Sequence, residues 1–320
     1  MSSTLNIVIP CYNEHDALPL TIPVLKNILD GLKVSGKVSE NSRVVLVDDG
    51  SKDDTWSIIK AASDTDGKTF SGVKLSRNGG TQKGLLAGTD AAVNIFGADF
   101  IISTDADLQD DIQTVEKMTD LFNSGTDVVY GVRNDRTADT GLKKLTAQGF
   151  YKLSRAMGIE SVYNHSDYRM LSRRVCLHLL SYRESDVFIR NIVPKIGYRS
   201  DTVEYARLAR NAGTTKYNFI KLFALAISGI VSSSLRPVRL IFGASALSAL
   251  IGIAYFIAAC ATGYVKHSLI SALWIVCAVI TASIAIVGEY AGRAYIESKH
   301  RPNYFIEEIA GETNISEVKN

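Results

Sequence analysis

Phe100-Ile101-Ile102-Ser103-Thr104-Asp105-Ala106-Asp107-Leu108-Gln109-Asp110-Asp111 opens with a short apolar run that predicts a buried strand. Four acids then fall within seven positions, and at a strand end they repel one another unless something positive is bound. A divalent cation held by one or two carboxylates and by a ligand's diphosphate oxygens relieves that repulsion. Mg²⁺ or Mn²⁺, hard ions with oxygen ligands, fit. The plainer reading, that acids favour the start of the next helix through its dipole, accounts for Asp110 and Asp111 but not for Asp105 and Asp107.

Outward from this stretch, apolar runs alternate with amphipathic ones. Strands are expected at Leu5 to Ile9, Arg43 to Val47, Val73 to Leu75, Phe100 to Ser103 and Val128 to Tyr130. Helices are expected at Leu18 to Lys33, Thr55 to Ala62, Thr81 to Asn94 and Val115 to Asn123. This order predicts an α/β fold with a mostly parallel sheet and helices on both faces, and ligands beyond the carboxyl ends of the strands. After Gly141 the pattern is mixed: a basic helix around Lys143 to Met157, a short run after Asp167, two short helices and a strand near Val203.

Two other strand ends carry polar groups. Ile7-Val8-Ile9-Pro10-Cys11-Tyr12-Asn13-Glu14 places a proline where it stops the ladder, then a tyrosine and a carboxylate. Val44-Val45-Leu46-Val47-Asp48-Asp49-Gly50-Ser51 ends in acids able to accept hydrogen bonds from a ribose or base edge. Ser51, Asp53 and Asp54 are equally good caps for the following helix, but Asp48 and Asp49 lie too early for that.

The balance of 35 basic and 33 acidic side chains leaves a formal charge of +2, so no overall field invites nucleic acid. Cys11, Cys176, Cys260 and Cys277 show no CxxC spacing, and the five histidines are scattered, which argues against a disulfide framework or a zinc site. The apolar stretch Leu5 to Pro10 is too short for a signal-peptide core. Leu240 to Val265 and Ser268 to Gly288 are uncharged runs long enough to cross a hydrocarbon core of roughly 30 Å. Arg236 and Arg239 precede them, Arg293, Lys299 and Arg301 follow, and the expected connecting loop holds only Lys266 and His267, so both ends are expected in the cytoplasm. Four regions result: a catalytic domain over 1–212, an amphipathic interfacial helix over 213–236, two spans within 237–290, and a cytosolic tail over 291–320, polar and loosely ordered from Ile306.

Together, IVIPCYNE, VVLVDDGS, LSRNGGTQKGLLAG, DADLQD, the Gly131-Val132-Arg133 element and RNAGTTKY at Arg210 to Tyr217 resemble the family-two glycosyltransferases of GT-A fold. Within them the chain is most similar to polyprenyl-phosphate sugar transferases such as bactoprenol glucosyltransferases and dolichol-phosphate mannose synthases. The match runs from about Leu5 to Phe305, with the paired spans and the closing Gly288-Glu289-Tyr290 and Arg301-Pro302-Asn303-Tyr304 pieces.

The resemblance implies that Pro10, Tyr12, Glu14, Leu46 and Asp48 contact the nucleoside and that Asp105, Ala106 and Asp107 form the DxD element. It puts Asp107 and Gln109 at the metal, and phosphates at Arg133, Arg210 and Lys216. Asp167-Tyr168-Arg169 is similar to an Asp-Phe-Arg element of the subfamily. Its carboxylate either orients acceptor or sugar hydroxyls, or braces a strand with its arginine. Lys143 and Lys144 are further candidates for drawing in an anionic lipid headgroup. The sequence departs from the family at Asn78 to Lys83, where many relatives carry phenylalanine before the glycine and then Lys-Glu.

The implied reaction is inverting transfer of a hexose from a nucleotide-diphosphate sugar, UDP-glucose first and GDP-mannose or UDP-N-acetylglucosamine next, to a polyprenyl phosphate. The expected setting is a bacterial cell membrane, with membrane lipid and further copies of the chain, as a homo-oligomer, as partners. A processive polysaccharide synthase would carry a Gln-x-x-Arg-Trp element, and Trp56 and Trp274 stand in no such setting. A non-catalytic scaffold would have lost the acids and phosphate-binding cations that are present here.

Overall fold

The computed structural model describes residues 2–133, 165–185, 187–206, 257 and 265–311. It divides into two compact units, one of residues 1–148, 161–216 and 302–320, the other of residues 149–160 and 217–301.

In the first unit β1 (Leu5–Cys11), α1 (Leu18–Val34), β2 (Arg43–Asp48), α2 (Thr55–Thr65), β3 (Phe70–Leu75), α3 (Thr81–Asp90), β4 (Phe100–Ser103), α4 (Thr114–Asn123) and β5 (Val128–Arg133) follow one another. After these come β6 (His165–Ser172), α5 (Arg173–Ser181), α6 (Ile189–Ile196) and β7 (Ser200–Tyr205). Helix α7 (Val265–Ser298) belongs to the second unit, and β8 (Ile306–Ala310) to the first.

The eight strands form one sheet in the order β7-β5-β6-β4-β1-β2-β3-β8. Pairs β1–β2, β1–β4, β2–β3 and β5–β7 are parallel, while β4–β6, β5–β6 and β3–β8 are antiparallel. The sheet is therefore mixed: β6 and the returning C-terminal strand β8 run antiparallel to their neighbours, and the other four pairs are parallel.

Both faces are covered, which is why the central strands read as unbroken apolar runs. Ile7, Ile9, Val44 and Leu46 pack with Leu18, Leu25, Leu29, Ile59 and Met118 on one side. Val8, Val45 and Val47 pack with Leu85, Leu86, Val175, Leu179 and Ile192 on the other. Helix α3 lies so close to the sheet that a Cβ on Gly88 would collide with Val8 and Val47. The expected helix from Thr81 to Asn94 ends at Asp90 and continues as a π turn over Ala91–Ile95.

Pro10 does not stop the ladder. Strand β1 runs on to Cys11, whose carbonyl accepts the Asp49 N–H at 2.9 Å. Alternate residues of a parallel strand bond to opposite neighbours. Val8 and Pro10 face the β4 side, where the last bond is Thr104 N–H to Val8 at 3.2 Å, so the missing N–H falls beyond the end of β4. Strand β3 starts three residues before the predicted Val73, with Gly72 bare because a Cβ there would lie 2.7 Å from Ile59 Cγ2 and 3.0 Å from the Trp56 ring.

The start of the polar tail, Ile306–Ala310, is an ordered strand, contrary to expectation, and the residues after Gly311 lie outside the described residues. Strand β8 closes the β3 edge antiparallel, and Trp56 Nε1 and Lys60 both donate to Glu308 while Lys74 reaches Glu307 at 2.8 Å. Just before it, Tyr304 donates its hydroxyl to Asp90 at 2.7 Å.

Helix α7 is 34 residues long and contains the uncharged Ser268 to Gly288 run. Lys266 and His267 lie in its first turn, not in a loop. Among the described residues no helix is long and apolar enough to cross a membrane, and several α7 side chains are outside that set. The interfacial helix and most of the first predicted span lie outside the described residues, as do Lys143, Lys144, Arg210 and Lys216.

Candidate active site

The carboxyl ends of β1, β2 and β4 meet where the sheet order reverses around β1, the place where open α/β sheets bind ligands. Two of the three non-glycine residues with positive φ among the described residues, Asn13 at 53° and Leu108 at 47°, belong to loops at these ends. For Leu108 that conformation costs about 1–2 kcal/mol, and it turns the chain directly after Asp107.

Where the resemblance implies nucleoside contacts, the loops after β1 and β2 are stitched together. The Asn13 N–H donates to Ser51 Oγ at 3.0 Å, the Lys52 N–H to Asn13 Oδ1 at 2.9 Å and the Glu14 N–H to Thr55 Oγ1 at 2.9 Å. Asp53 turns the chain into α2 by accepting from the Thr55 N–H at 3.1 Å, while Asp54 at the N-cap makes no side-chain cap bond. Pro10, Tyr12 and Glu14 are half-buried along this wall. Asp48 is buried and accepts the Ser51 N–H at 3.1 Å. Leu46 does not join them: two residues back in a fully buried strand, its side chain belongs to the core.

Asp49 has a different role. Its carboxylate accepts the N–H groups of Gly79 and Gly80 at 2.7 and 2.8 Å and the Asn78 amide at 3.1 Å. Burial pushes its pKa up, and the two glycine N–H groups oppose that shift. The divergent Gly79-Gly80 pair thus folds around this acid. Gly50, at φ +63°, passes beneath the same loop, where a Cβ would lie 2.5 Å from the Asn78 nitrogen. A cavity of about 250 Å³ lies at the end of β3 between Arg77, Lys83, Asn303 and Tyr304, and none of the β4 acids lines it.

Beyond β4 the chain leaves the strand and turns at Ala106 and Asp107. Asp105 is exposed, Ala106 is buried with its carbonyl held by Thr21 Oγ1 at 2.7 Å, and Asp107 is half-buried. Ala106 therefore packs into the core and reaches no ligand with its side chain. Asp107 Oδ1 accepts the Gln109 N–H at 3.2 Å. Asp105 makes no side-chain hydrogen bond or ion pair among the described residues. Although it opens to solvent, its pKa is pushed up to about 7, first by lost hydration among the crevice walls and then by Asp167, Asp110 and Asp107, with Arg133 opposing.

Asp110 is not a helix-start acid. It is buried and pairs with Arg133, at 3.0 Å to Nη2 and 3.3 Å to Nε, while Asp111 alone caps locally, accepting the Gln113 N–H at 3.1 Å. The Arg133 Nε also donates to the Tyr205 hydroxyl at 3.1 Å. Burial would lower the Arg133 pKa, but Asp110 and Tyr205 more than offset it.

Asp167 receives four donors: Arg169 Nη2 at 2.6 Å, Arg190 Nε at 3.1 Å and Nη2 at 2.9 Å, and Gln82 Nε2 at 3.2 Å. Burial would raise its pKa, yet Arg169 and Arg190 hold it at about 2. The bracing reading thus describes its contacts, and so acidic a carboxylate is a poor general base near neutral pH. Sequence reasoning missed Arg190, which lies 23 positions from its partner in no recognised motif.

Oxygen donors at Asp105, Asp107 and Gln109 suit Mg²⁺ or Mn²⁺, which commonly take one or two carboxylates and complete their shell with substrate phosphates and water. Among the described residues no cluster of three or more acids, histidines or cysteines holds a metal by protein groups alone. An ion held by these oxygens would complete its shell with substrate oxygens and water.

Residues 6–180 match the family described as Glycosyl transferase family 2, and residues 236–294 match the GtrB C-terminal hairpin. An uncharacterized glycosyltransferase of Bacillus subtilis (strain 168), YkoT, is 41% identical over 95% of this chain and 91% of its own. The bactoprenol glucosyl transferase of Shigella phage SfV is 35% identical over 94% of this chain and 97% of its own. Among solved structures, a mannosyltransferase from Pyrobaculum calidifontis in complex with GDP-Man and Mn²⁺ covers 93% of this chain and 86% of its own, at 17% identity and a TM-score of 0.42, too slight a likeness to bear on mechanism.

Proposed function

Because the chain belongs to glycosyl transferase family 2, we propose that this glycosyltransferase moves glucose from UDP-glucose to undecaprenyl phosphate at the cytoplasmic face of a bacterial membrane. The observation that carries the reading is the crevice beyond β4, where Asp105 stands without an ion-pair partner among the described residues, beside Arg133 and Asp107. The choice of sugar and lipid is supported by relatives such as the phage bactoprenol glucosyl transferases, 33–35% identical over nearly the whole chain.

In this reading a phosphate oxygen of the lipid attacks the anomeric carbon from the face opposite the leaving group. The new carbon–oxygen bond forms as the bond to UDP breaks, so configuration inverts. A phosphate monoester, with a second pKa near about 6, is already largely a dianion at neutral pH, and no side chain has to remove a proton. Arg133, oriented by Asp110 and Tyr205, stabilises negative charge developing on the departing diphosphate. Asp107 and Gln109 would hold the Mg²⁺ or Mn²⁺, which when bound neutralises diphosphate charge. Pro10, Tyr12, Glu14 and Asp48 form the nucleoside wall. Arg210 and Lys216 meet the lipid phosphate, and Lys143 and Lys144 are the next candidates for it.

Membrane attachment rests on the two uncharged runs, on the match to the GtrB hairpin, and on the apolar side chains that α7 exposes, among them Leu269, Leu273, Ile280, Ile284 and Val287. The flanking cations put both termini in the cytoplasm. Assembly as a homo-oligomer belongs to the same reading.

The test is incubation of the purified full-length protein with undecaprenyl phosphate and, separately, UDP-glucose, UDP-N-acetylglucosamine and GDP-mannose, with products read by mass spectrometry. Hexosyl undecaprenyl phosphate from UDP-glucose is expected. Product only from another donor would replace the sugar assignment, and no lipid-linked product from any donor would refute the acceptor.

A further inference from the structure

Arg190, near the start of α6, is held more tightly than an ordinary surface arginine. Its Nε–Nη2 edge grips both oxygens of Asp167 at 3.1 and 2.9 Å. Gln82 completes a closed arrangement, donating to Asp167 Oδ2 at 3.2 Å and accepting the N–H of Ile189, next to Arg190, at 3.0 Å. A planar guanidinium fixed in this way loses little freedom when it takes a further partner.

Neutralising Asp167 does not require Arg190. Arg169, 1% exposed, already pairs with that carboxylate at 2.6 Å, so one acid faces two guanidinium groups. Arg190 is the open member: its side chain is 38% exposed, and its Nη1 makes no hydrogen bond among the described residues. It also interacts electrostatically with Asp105 and Arg133, which puts it on the crevice where transfer is proposed.

We propose that Arg190 is a substrate-binding residue whose free edge takes a phosphate oxygen in the crevice, and that Asp167 and Gln82 are the positioning residues that aim it. The inference rests on the glycosyl-transfer reading, which brings two such groups to the site, the donor's diphosphate and the lipid's monophosphate.

The test uses full-length protein in detergent, comparing wild type with Arg190→Gln, Arg190→Lys and Gln82→Ala. Two constants are measured: UDP affinity with Mg²⁺ by calorimetry, and the KM for undecaprenyl phosphate during transfer from UDP-glucose. Loss of a charge-assisted bond should weaken one of them about tenfold or more in Arg190→Gln. A fall in UDP affinity assigns the edge to the diphosphate, and a raised acceptor KM with UDP binding intact assigns it to the lipid phosphate. Arg190→Lys keeps the charge beside Asp167 but loses the fork, so it should fold and fall between wild type and Arg190→Gln. Gln82→Ala should move the same constant less. Values within twofold of wild type in Arg190→Lys and in any Arg190→Gln that folds would leave Arg190 as a brace and overturn the proposal. A wild-type protein that binds no UDP and transfers no sugar would instead refute the functional reading and the inference together.

Discussion

The ends of β2 and β4 carry similar sequences and do opposite things. Asp49, after β2, is enclosed by Gly79, Gly80 and Asn78 and builds the entry to α3. Asp105, after β4, accepts nothing from the described residues and is crowded by other carboxylates. The same contrast divides the acids further along. Asp110 and Asp167 are each held by arginine, so only part of the acidic cluster is available to a ligand. An acid's role follows from the donors that the fold brings to it, and a count of acids in a motif does not reveal those donors.

The largest expected stability effect comes from removing a held acid. Asp167→Asn leaves Arg169 buried without its counter-charge and should lower unfolding stability by about 3–5 kcal/mol, measured by denaturant unfolding of the full chain in detergent. Asp49→Asn should cost about 1–3 kcal/mol, because an amide cannot accept all three donors that converge there. If Asp49→Asn were neutral for stability but abolished transfer, the division between the two strand ends would fail.

Asp105→Asn should move stability the other way. A carboxyl raised to about 7 in the folded state, against about 3.9 unfolded, holds its proton better when folded. Stability is therefore lost as pH rises from about 4 to 7, and it is level above that. The Asn variant escapes this loss, so in the presence of chelator its melting temperature should exceed that of wild type at pH 8 and match it near pH 4. The reverse order would mean that Asp105 has a compensating cation. The smallest effect is expected at the far edge of the sheet. Lys60 is half exposed in its pairing with Glu308, and exposed ion pairs contribute little. Lys60→Ala should leave the melting temperature unchanged within error.

Much of this was legible in the sequence. Strand β4 falls where it was expected, at Phe100 to Ser103, because an apolar run ending in a cluster of acids has few other readings. The sequence also singles out Asp105 and Asp107 as acids that no helix start explains, and the fold leaves Asp105 exposed and Asp107 half-buried. What was hidden depends on distant partners. Ser71 and Gly72 look like loop residues, yet they sit in β3 because Trp56 and Ile59 cover the bare glycine. Ile306-Glu307-Glu308-Ile309 looks like solvated tail until Lys60 and Lys74, more than 200 positions earlier, receive its acids. Asp110 resembles a helix-start acid because its arginine arrives on β5, and Arg190 carries no local signal because only folding brings α6 to Asp167.

The most direct test of the account is transfer of glucose from UDP-glucose to undecaprenyl phosphate by wild type and by Asp107→Asn, with the folding of both checked by thermal melt. Wild type should form the lipid-linked sugar, stop in excess chelator and recover with Mg²⁺ or Mn²⁺. Asp107→Asn should keep its melting temperature and lose about 100-fold or more in rate, the scale on which a missing electrostatic partner of the transition state is felt. Full turnover by Asp107→Asn, or by wild type in excess chelator, would contradict the assignment of the β4 crevice as the catalytic centre.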